Sequence, residues 1–339
     1  MPQTTRSNSN SAKKPKAAGD TSNMRSSVPI AVTSRSFSRH PVLRAELLER
    51  YVDVRFNDDG CSLHGAELIE YARGRRKLIT ALEKIDETFL TALPELEVIS
   101  KYGVGTDMLD TNAMIRHGIR LGWTGGSNKR SVSELVIAFA ITLLRQLHTS
   151  MNDMSSGIWN GRVGGCISEK TFGIIGCGHI GKDLARILRT FDCEVLVHDI
   201  LSFPDFYSSY QIRPVGLEEL LQNSDVVTLH VPLDDSTKNI LSADRLALMR
   251  PSAILINTAR GGLVDERALK SMLLNDRLAG AGFDVFLTEP PQDLELLELP
   301  NFLSTPHIGG GSEEAVLAMG RAAIAGLDDN QIPSATHPL

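Results

Sequence analysis

Short apolar runs alternate with longer amphipathic stretches along most of the chain. The runs form two series, which are separated by a long helical pattern at about residues 131–151. Strands that alternate with helices build parallel sheets covered on both faces, so the pattern predicts two α/β units. The predicted strands of the first unit are residues 30–33, 52–56, 77–80, 97–100 and 119–123. Those of the second unit are residues 171–175, 194–199, 226–231, 253–257, 280–286 and 302–304.

The length and composition agree with two units and exclude several partners. A chain of 339 residues is long enough for two domains, and its 42% apolar and 22% charged residues are typical of a globular protein. The net charge of −6 argues against nucleic acid, whose phosphates attract a basic surface. The uncharged run at residues 135–144 is shorter than the ~20 apolar residues of a membrane span. We therefore expect no nucleic-acid or membrane partner.

The cysteines and the N-terminal segment indicate in which cellular compartment the protein is expected. The four cysteines are far apart and lack the paired spacing of a zinc site, which favours a reducing cytoplasm and no bound metal. Residues 1–27 are rich in Ser, Asn and Lys and carry five basic residues against one acid, which predicts a disordered tail. This tail has neither the apolar segment of a secretory signal nor an amphipathic helical face. The sequence therefore predicts a cytoplasmic protein.

A glycine-rich turn follows the first predicted strand of the second unit. Gly176, Gly178 and Gly181 form a GxGxxG pattern between an apolar strand and an amphipathic helix. Such a turn lets the backbone approach a pyrophosphate at the helix N-terminus. The next strand ends in Asp199, 18 residues after Gly181, where a carboxylate can meet the ribose hydroxyls and repel a 2′-phosphate. The pattern predicts an NAD site in a dinucleotide-binding fold; the alternative is a tight turn without a ligand.

Three side chains suited to catalysis follow predicted strands farther along the second unit. Arg260 lies just past a strand end, where open α/β sheets bind ligands, and its guanidinium can grip a carboxylate. Glu289 follows the next strand, and His307 lies in a glycine-rich loop. A carboxylate bonded to one ring nitrogen would prepare His307 for proton exchange. The alternative for Arg260 is a surface ion pair with Asp265 or Glu266.

Taken together, these segments resemble the D-isomer-specific 2-hydroxyacid dehydrogenases. This family includes D-3-phosphoglycerate, D-lactate, glyoxylate and hydroxypyruvate enzymes, and the likeness is strongest to the phosphoglycerate and the hydroxypyruvate or glyoxylate members. The motifs that carry it lie at residues 99–107, 131–134, 176–181, 230–233, 257–262, 284–286 and 305–309.

The resemblance implies how the two units are divided. A flavodoxin-like substrate domain would comprise residues 28–126 plus 305–329, with an NAD-binding Rossmann domain at residues 127–304 inserted between them. Both domains would be doubly wound parallel sheets. Residues 330–339 would form a short tail. The helix that starts near Ser131 looks like the dimer element of the family, so a homodimer is expected.

The resemblance also implies roles for the strand-end residues. Arg260 would bind the substrate carboxylate and the C2 oxygen, His307 would be the general acid and base, and Glu289 would hold His307. Val104 and Gly105 would offer backbone N–H groups to the carboxylate. The substrate would be a small 2-hydroxy or 2-keto acid that exchanges a hydride with NAD.

Further residues would bind the cofactor or select the substrate. Asp284 would meet the nicotinamide carboxamide, and Lys101 would supply a cation for a substrate phosphate. Ala81 stands where phosphoglycerate enzymes tend to carry a phosphate-binding arginine, so phosphoglycerate is one of several open substrates. The implied cofactor contacts are Gly176, Gly178, His179, Ile180, Gly181, Asp199, Val231, Pro232, Thr237, Thr258 and Ala259.

Two alternative functions stay open at this point. The first is a hydroxypyruvate or glyoxylate reductase of the same family. The second is an NAD-sensing corepressor, which keeps the same fold and the same Arg, Glu and His residues, because fold and site alone do not determine function. Formate and phosphite dehydrogenases are disfavoured, since they would carry a glutamine at Glu289 and a lysine at Val104 respectively.

Overall fold

Two parallel sheets organise the computed structural model, which describes residues 25–334. The strands of the first sheet are β1 (Ile30–Val32), β2 (Val54–Phe56), β3 (Lys77–Thr80), β4 (Val98–Lys101) and β5 (Arg120–Gly122). Those of the second sheet are β6 (Thr171–Ile175), β7 (Glu194–His198), β8 (Arg213–Pro214), β9 (Val226–Leu229), β10 (Ile254–Asn257), β11 (Gly280–Phe283) and β12 (Phe302–Ser304).

Helices connect the strands, and several begin at a side chain that caps their free N–H groups. Asp110, Asp265 and Ser312 each accept a hydrogen bond from the backbone three residues on, which is the usual capping arrangement. The helices are α1 (Arg35–Arg39), α2 (Pro41–Arg50), α3 (Gly65–Ala72), α4 (Glu87–Ala92), α5 (Thr111–His117), α6 (Lys129–Leu144), α7 (Leu147–Ser155), α8 (His179–Thr190), α9 (Pro204–Tyr210), α10 (Leu217–Asn223), α11 (Ala243–Leu246), α12 (Glu266–Leu274), α13 (Leu294–Leu297) and α14 (Glu313–Gly326).

The first sheet has the strand order β2-β1-β3-β4-β5, and every neighbouring pair is parallel. This is the flavodoxin-like order that the family resemblance implies. The C-terminal helix α14 packs against β4 and β5, where the Ser100 hydroxyl donates to the Ala323 carbonyl at 2.6 Å. The chain therefore returns to the first sheet after it has completed the second.

The second sheet has the order β12-β11-β10-β9-β6-β7-β8, again with parallel neighbours. The strands wind outward in both directions from β6 and β9, as in a Rossmann fold, so the predicted class of two doubly wound sheets is confirmed. Buried side chains cover both faces, with Leu255 in one apolar cluster and Ile256 in the other. The order reverses between β6 and β9, and such a reversal opens a crevice at the carboxyl ends of the strands.

The long helix predicted at about residues 131–151 is two helices, so that prediction is wrong in detail. α6 and α7 meet at an angle of 63°, and Gln146 between them is left-handed with φ 50°. The Leu144 carbonyl accepts a hydrogen bond from Gly165 N at 2.9 Å instead of continuing the helix. Within residues 25–334 no single helix meets the length and hydropathy needed to cross a membrane, whereas α6 and α7 meet the test only as a bent pair.

Three further differences concern an edge strand and the two ends of the folded region. β8 was not predicted, because its two exposed residues carry no apolar pattern. Ser26 falls in the predicted disordered tail but exchanges backbone hydrogen bonds with residues 50 and 52, at 2.8 and 3.0 Å. Gln331 falls in the predicted C-terminal tail but pairs with Leu121 on β5. The remainder of both predicted tails, residues 1–24 and 335–339, lies outside the described residues.

Candidate active site

The glycine turn after β6 leaves the N-terminus of α8 open. Gly176 has φ +101°, and a Cβ there would meet the His230 carbonyl at 2.5 Å. A Cβ on Gly181 would overlap the Gly176 carbonyl, whereas one on Gly178 would point into open space. Gly178 also caps α8 without a side chain, so the first N–H groups of the helix have no side-chain acceptor. Backbone donors at a helix N-terminus suit a pyrophosphate.

Asp199 lies beside this turn at the end of β7. One carboxylate oxygen accepts a hydrogen bond from Cys177 N at 2.5 Å, and the other accepts one from Leu201 N at 2.8 Å. These bonds fix the carboxylate within the crevice that the strand order opens. Its position agrees with the predicted contact to ribose hydroxyls, which itself stays a prediction.

Buried polar atoms without a partner occur at the ends of the neighbouring strands. The Thr258 hydroxyl after β10 and His230 Nδ1 after β9 are buried and have no hydrogen-bond partner among the described residues. Burial lowers the pKa of His230 to about 3, so its ring is neutral. Buried polar groups normally have partners, so these atoms and the glycine turn fit a dinucleotide that lies across the strand ends.

The remaining predicted cofactor residues lie around the same strand ends. A Cβ added to Gly176 would lie 2.9 Å from Val231 Cγ1, so the Val231 side chain packs against the glycine turn. The Thr237 hydroxyl donates to the Pro232 carbonyl at 2.7 Å and ties that loop together. His179 and Ile180 occupy the first turn of α8, and Ala259 follows Thr258.

His307 and Glu289 meet, although the sequence could not show that they would. His307 Nδ1 lies 2.9 Å from Glu289 Oε2, and the two side chains are 47% and 40% exposed. The other Glu289 oxygen accepts a hydrogen bond from Phe286 N at 3.2 Å, which fixes the carboxylate. Since Glu289 engages Nδ1, the His307 Nε2 atom is left to face a substrate. This is the arrangement that proton exchange requires.

A buried carboxylate holds the loop that carries His307. Asp284 accepts hydrogen bonds from the Thr305 hydroxyl at 2.6 Å, from Ile308 N at 2.7 Å and from Gly309 N at 2.7 Å. The same residue's backbone carbonyl accepts from His307 N at 2.9 Å. His307 has φ +56°, an unfavourable conformation for a residue with a side chain. Asp284 therefore maintains this backbone, and its predicted contact with nicotinamide stays a prediction.

Arg260 pairs with a residue from the other sheet. Its Nε atom donates to Asp107 Oδ2 at 2.9 Å, its Nη2 atom forms an ion-pair contact with the same oxygen at 2.8 Å, and Nη1 donates to the Ala259 carbonyl at 2.7 Å. The ion pair expected under the alternative interpretation does not form. Asp265 instead caps α12, and Glu266 accepts a hydrogen bond from a backbone N–H.

The segment after β4 lies against Arg260. A Cβ on Gly105 would overlap Arg260 Nη2, so any larger residue at this position would displace the guanidinium. Among the described residues, neither Val104 N nor Gly105 N donates a hydrogen bond, and both residues are partly exposed. The segment therefore brings Gly105, whose N–H is free, against the guanidinium, and the predicted contact of both N–H groups with a carboxylate stays a prediction.

Lys101 is a buried cation on the same side of the site. It is only 5% exposed, and its ammonium donates to the Ala81 carbonyl at 2.6 Å and to the Tyr102 carbonyl at 3.3 Å. Burial lowers the pKa of Lys101 to about 8, and the charge of Glu83 opposes that shift. A buried ammonium with few partners is suited to an anionic group of a ligand.

Sequence reasoning assigned no role to two residues that the structure places in the site. Asp107 lies in the motif at residues 99–107, two positions after Gly105. Its charge, in a loop beside the segment predicted to bind the substrate, was the signal that could have identified it. The Ser131 hydroxyl donates to the Gly309 carbonyl at 2.7 Å and so ties α6 to the His307 loop.

Among residues 25–334, no group of three or more His, Cys, Asp or Glu side chains could hold a metal ion.

Comparisons with known proteins agree with this geometry. The model of the "D-isomer specific 2-hydroxyacid dehydrogenase, NAD binding domain" matches residues 137–309. The glycerate dehydrogenase of Methylorubrum extorquens is 38% identical over 261 residues, which are 74% of this chain and 81% of that protein. The D-3-phosphoglycerate dehydrogenase 1 of Saccharomyces cerevisiae is 34% identical over 82% of this chain and 63% of its own length.

The chain belongs to the D-isomer-specific 2-hydroxyacid dehydrogenase family. The predictions of an NAD-dependent oxidoreductase that acts on CH–OH groups, and of NAD as the cofactor, are thereby confirmed. The chain spans less than two thirds of the yeast relative's length. A solved glyoxylate reductase from Paecilomyes thermophila superimposes on this dehydrogenase with a TM-score of 0.79 at 26% identity, covering 88% of this chain and 94% of that one.

The matched region of this dehydrogenase contains only part of the site. Asp199, Arg260 and His307 lie within residues 137–309, whereas Lys101 and Asp107 lie outside that range. The residues predicted to contact NAD and to exchange the proton therefore lie in the range that the family model matches. Lys101, which is predicted to meet a substrate phosphate, lies outside it.

Proposed function

We propose that this dehydrogenase interconverts a short D-2-hydroxy acid and its 2-keto acid at a site formed by His307, Glu289 and Arg260. The observation that carries the proposal is the 2.9 Å contact between His307 and Glu289 at the carboxyl ends of the second sheet. An imidazole held by a carboxylate is the recurring arrangement of a general acid and base. Arg260, close to the free N–H groups of Val104 and Gly105, supplies the site for the substrate carboxylate.

The proposed mechanism assigns one task to each side chain. NAD, when bound, supplies the partner that accepts or donates the hydride at C2. In the oxidation direction His307 Nε2 accepts the proton of the 2-hydroxyl group, and in reduction it returns that proton. Glu289 stabilises the positive ring that forms when His307 is protonated. Arg260 binds the carboxylate and stabilises the negative charge that develops on the C2 oxygen.

We propose the domain division that the resemblance implies. Residues 28–126 and 305–329 would form the substrate domain, and residues 127–304 the NAD-binding domain. The packing of α14 on the first sheet supports this division, because it joins the C-terminal segment to the first strands. The bond between Arg260 and Asp107 would then cross the cleft between the domains. Closure over that cleft would exclude water from the reacting groups.

The buried ammonium of Lys101 favours a substrate with an anionic or polar group on C3. A phosphate there would give 3-phosphoglycerate, which is the substrate named for the yeast relative. Two of the three N–H groups of Lys101 already bond to backbone carbonyls, and position 81 is alanine. This favours the second candidate, a smaller acid with an uncharged hydroxyl group on C3, such as hydroxypyruvate.

We propose a homodimer through the helical segment that begins near Ser131. No residue of α7 is buried, and the loop after it exposes Trp159 to 89% and Val163 to 95%. An exposed apolar patch of this kind typically marks a protein interface. Analytical ultracentrifugation should find a dimer whose dissociation constant rises on Trp159→Asp; a monomeric wild type would contradict the proposal.

A cytoplasmic location is proposed for the same chain. Two cysteines, Cys61 and Cys166, are exposed and free in the described residues. Free exposed thiols are more common in reducing compartments. Cell fractionation of the tagged full chain with a cytoplasmic marker protein would test this.

The test of the proposed activity is a substrate screen that follows NADH oxidation. Glyoxylate, hydroxypyruvate, phosphohydroxypyruvate, pyruvate and phenylpyruvate would be offered at equal concentrations. We expect rapid turnover of at least one acid, and a preference for phosphohydroxypyruvate would identify the phosphoglycerate candidate. Tight NADH binding with only trace turnover of every acid would contradict the enzyme and favour a corepressor that senses NAD.

A further inference from the structure

Arg260 and Asp107 meet although they come from different sheets. Arg260 follows β10 of the second sheet, and Asp107 follows β4 of the first, 153 positions away in the sequence. The guanidinium donates one hydrogen bond from Nε to one oxygen of Asp107, and Nη2 lies 2.8 Å from the same oxygen. The Ala259 carbonyl accepts a second hydrogen bond, from Nη1, at 2.7 Å. The guanidinium is thus held from two sides.

The number of donors leaves room for a substrate. A guanidinium has five N–H groups in one plane, and the hydrogen bonds to Asp107 and Ala259 use two of them. One N–H remains on Nη1 and two remain on Nη2, and these two atoms form the outer edge of the fork. A carboxylate binds such an edge through two parallel hydrogen bonds. Asp107 therefore engages the inner edge and leaves the outer edge free.

The surroundings distinguish this pair from an ordinary surface ion pair. The side chains of Arg260 and Asp107 are 32% and 44% exposed, so solvent reaches the pair, but its two members come from different sheets and a glycine packs against the guanidinium. Gly105 touches the guanidinium so closely that a Cβ would overlap Nη2. A small rotation of the guanidinium would misalign its outer edge with the free N–H groups of residues 104 and 105.

We propose that Asp107 is a positioning residue, which fixes the orientation of Arg260 so that the outer edge of the guanidinium receives the substrate carboxylate. Because Asp107 belongs to the first sheet, Arg260 is aligned only when the two sheets are correctly placed. Asp107 itself does not contact the reacting atoms. The inference rests on the proposed role of Arg260 in carboxylate binding.

The first test replaces Asp107 by Asn, which keeps the size and removes the charge. With the 2-keto acid that the wild type reduces best, we expect KM to rise about tenfold or more, since charged hydrogen bonds to Arg260 are lost. The dissociation constant of NADH and the thermal midpoint should stay within error. Asp58→Asn is the matched control, because Asp58 forms an exposed ion pair with Arg44 away from the site. It should leave KM unchanged.

A second test asks whether Asp107 acts through Arg260. In an Arg260→Gln background, Asp107→Asn should change kcat/KM less than twofold, because the partner is already gone. An equal loss in both backgrounds would show that Asp107 acts independently and would overturn the inference.

The same measurements separate the other outcomes. An unchanged KM in Asp107→Asn would reduce the pair to a surface contact, and a lower KM would show that Asp107 competes with the substrate; either result overturns the inference while the proposed function stands. A wild type that reduces no 2-keto acid overturns both.

Discussion

The two halves of the site are held in place in different ways. His307 follows β12 of the second sheet, and the two residues that hold it, Asp284 and Glu289, both follow β11 of the same sheet. Arg260 follows the adjacent strand of the same sheet but takes its charged partner, Asp107, from the first sheet. The group proposed to transfer the proton is therefore set by one sheet, whereas the group proposed to bind the carboxylate depends on how two sheets meet. This difference suggests that catalysis and substrate binding can be disturbed separately.

The backbone of His307 is strained, and residues of the second sheet hold it in place. His307 has a left-handed backbone with φ +56°, a conformation that costs roughly 1–3 kcal/mol for a residue with a side chain at a functional site. The three hydrogen bonds to the Asp284 carboxylate offset this cost. The supporting residues of a site often matter as much as the residues that react.

The largest effect is expected from His307→Ala. Loss of the general acid and base should lower kcat by about 10²- to 10⁴-fold. NADH binding, measured by fluorescence titration, should persist because the glycine turn is distant from this change. Retention of wild-type kcat would remove His307 from the mechanism and would erase the contrast with Arg260.

The next largest effect is expected from Asp284→Asn. An amide NH₂ in place of a carboxylate oxygen would oppose a backbone N–H of the His307 loop, so the free energy of unfolding should fall by about 1–3 kcal/mol. kcat should fall with it, because the loop that carries His307 loosens. Thr305→Val removes only one of the three hydrogen bonds and should have a smaller effect on both quantities. Urea unfolding measures the free energy of unfolding, and steady-state kinetics measure kcat. Equal effects of Asp284→Asn and Thr305→Val on these quantities would contradict the prediction.

Arg260→Lys should act mainly on substrate binding. A lysine has no planar fork, so it cannot bind Asp107 and a carboxylate at once in the same geometry. We expect the KM for the keto acid to rise by about 10-fold or more, with a smaller change in kcat. Arg213→Lys, which alters an exposed pair with Glu219, is the matched control. If kcat falls as far as in His307→Ala while KM is unchanged, the separation of the two halves is wrong.

The smallest effect concerns the pH dependence that Lys101 introduces. Its pKa in the folded protein is lowered to about 8 by burial, next to Glu83, Asp107 and Arg260. Between about pH 8 and the ordinary lysine value near 10.4, the unfolded chain binds more protons than the folded one. The Lys101 contribution to the free energy of unfolding should therefore rise with pH in that window, by at most about 1.4 kcal/mol per pH unit.

Lys101→Met provides the comparison for this pH effect. The difference in unfolding free energy between variant and wild type should be largest below pH 8 and should shrink as the pH approaches 10. Urea titrations at several pH values measure it. A difference that does not vary with pH would show that Lys101 titrates normally.

Much of this molecule could be predicted from local patterns. The GxGxxG turn, Asp199 and most strands lie within short segments whose spacing alone carries the information. The break at Gln146 could not be predicted, because the apolar pattern continues through it and the Leu144 carbonyl is taken by Gly165 from a later loop. The sequence also placed Glu289 and His307 at strand ends without showing that they touch.

The sequence by itself determined the two α/β units, the NAD turn and the types of residue that end the strands. Only the tertiary structure decided which carboxylate each of these residues meets: Glu289 for His307, Asp284 for the loop around it, and Asp107 for Arg260. The physical reason is that such contacts form where strand ends meet in space. That meeting depends on the order of strands within each sheet and on the placement of one sheet against the other, which no local pattern encodes.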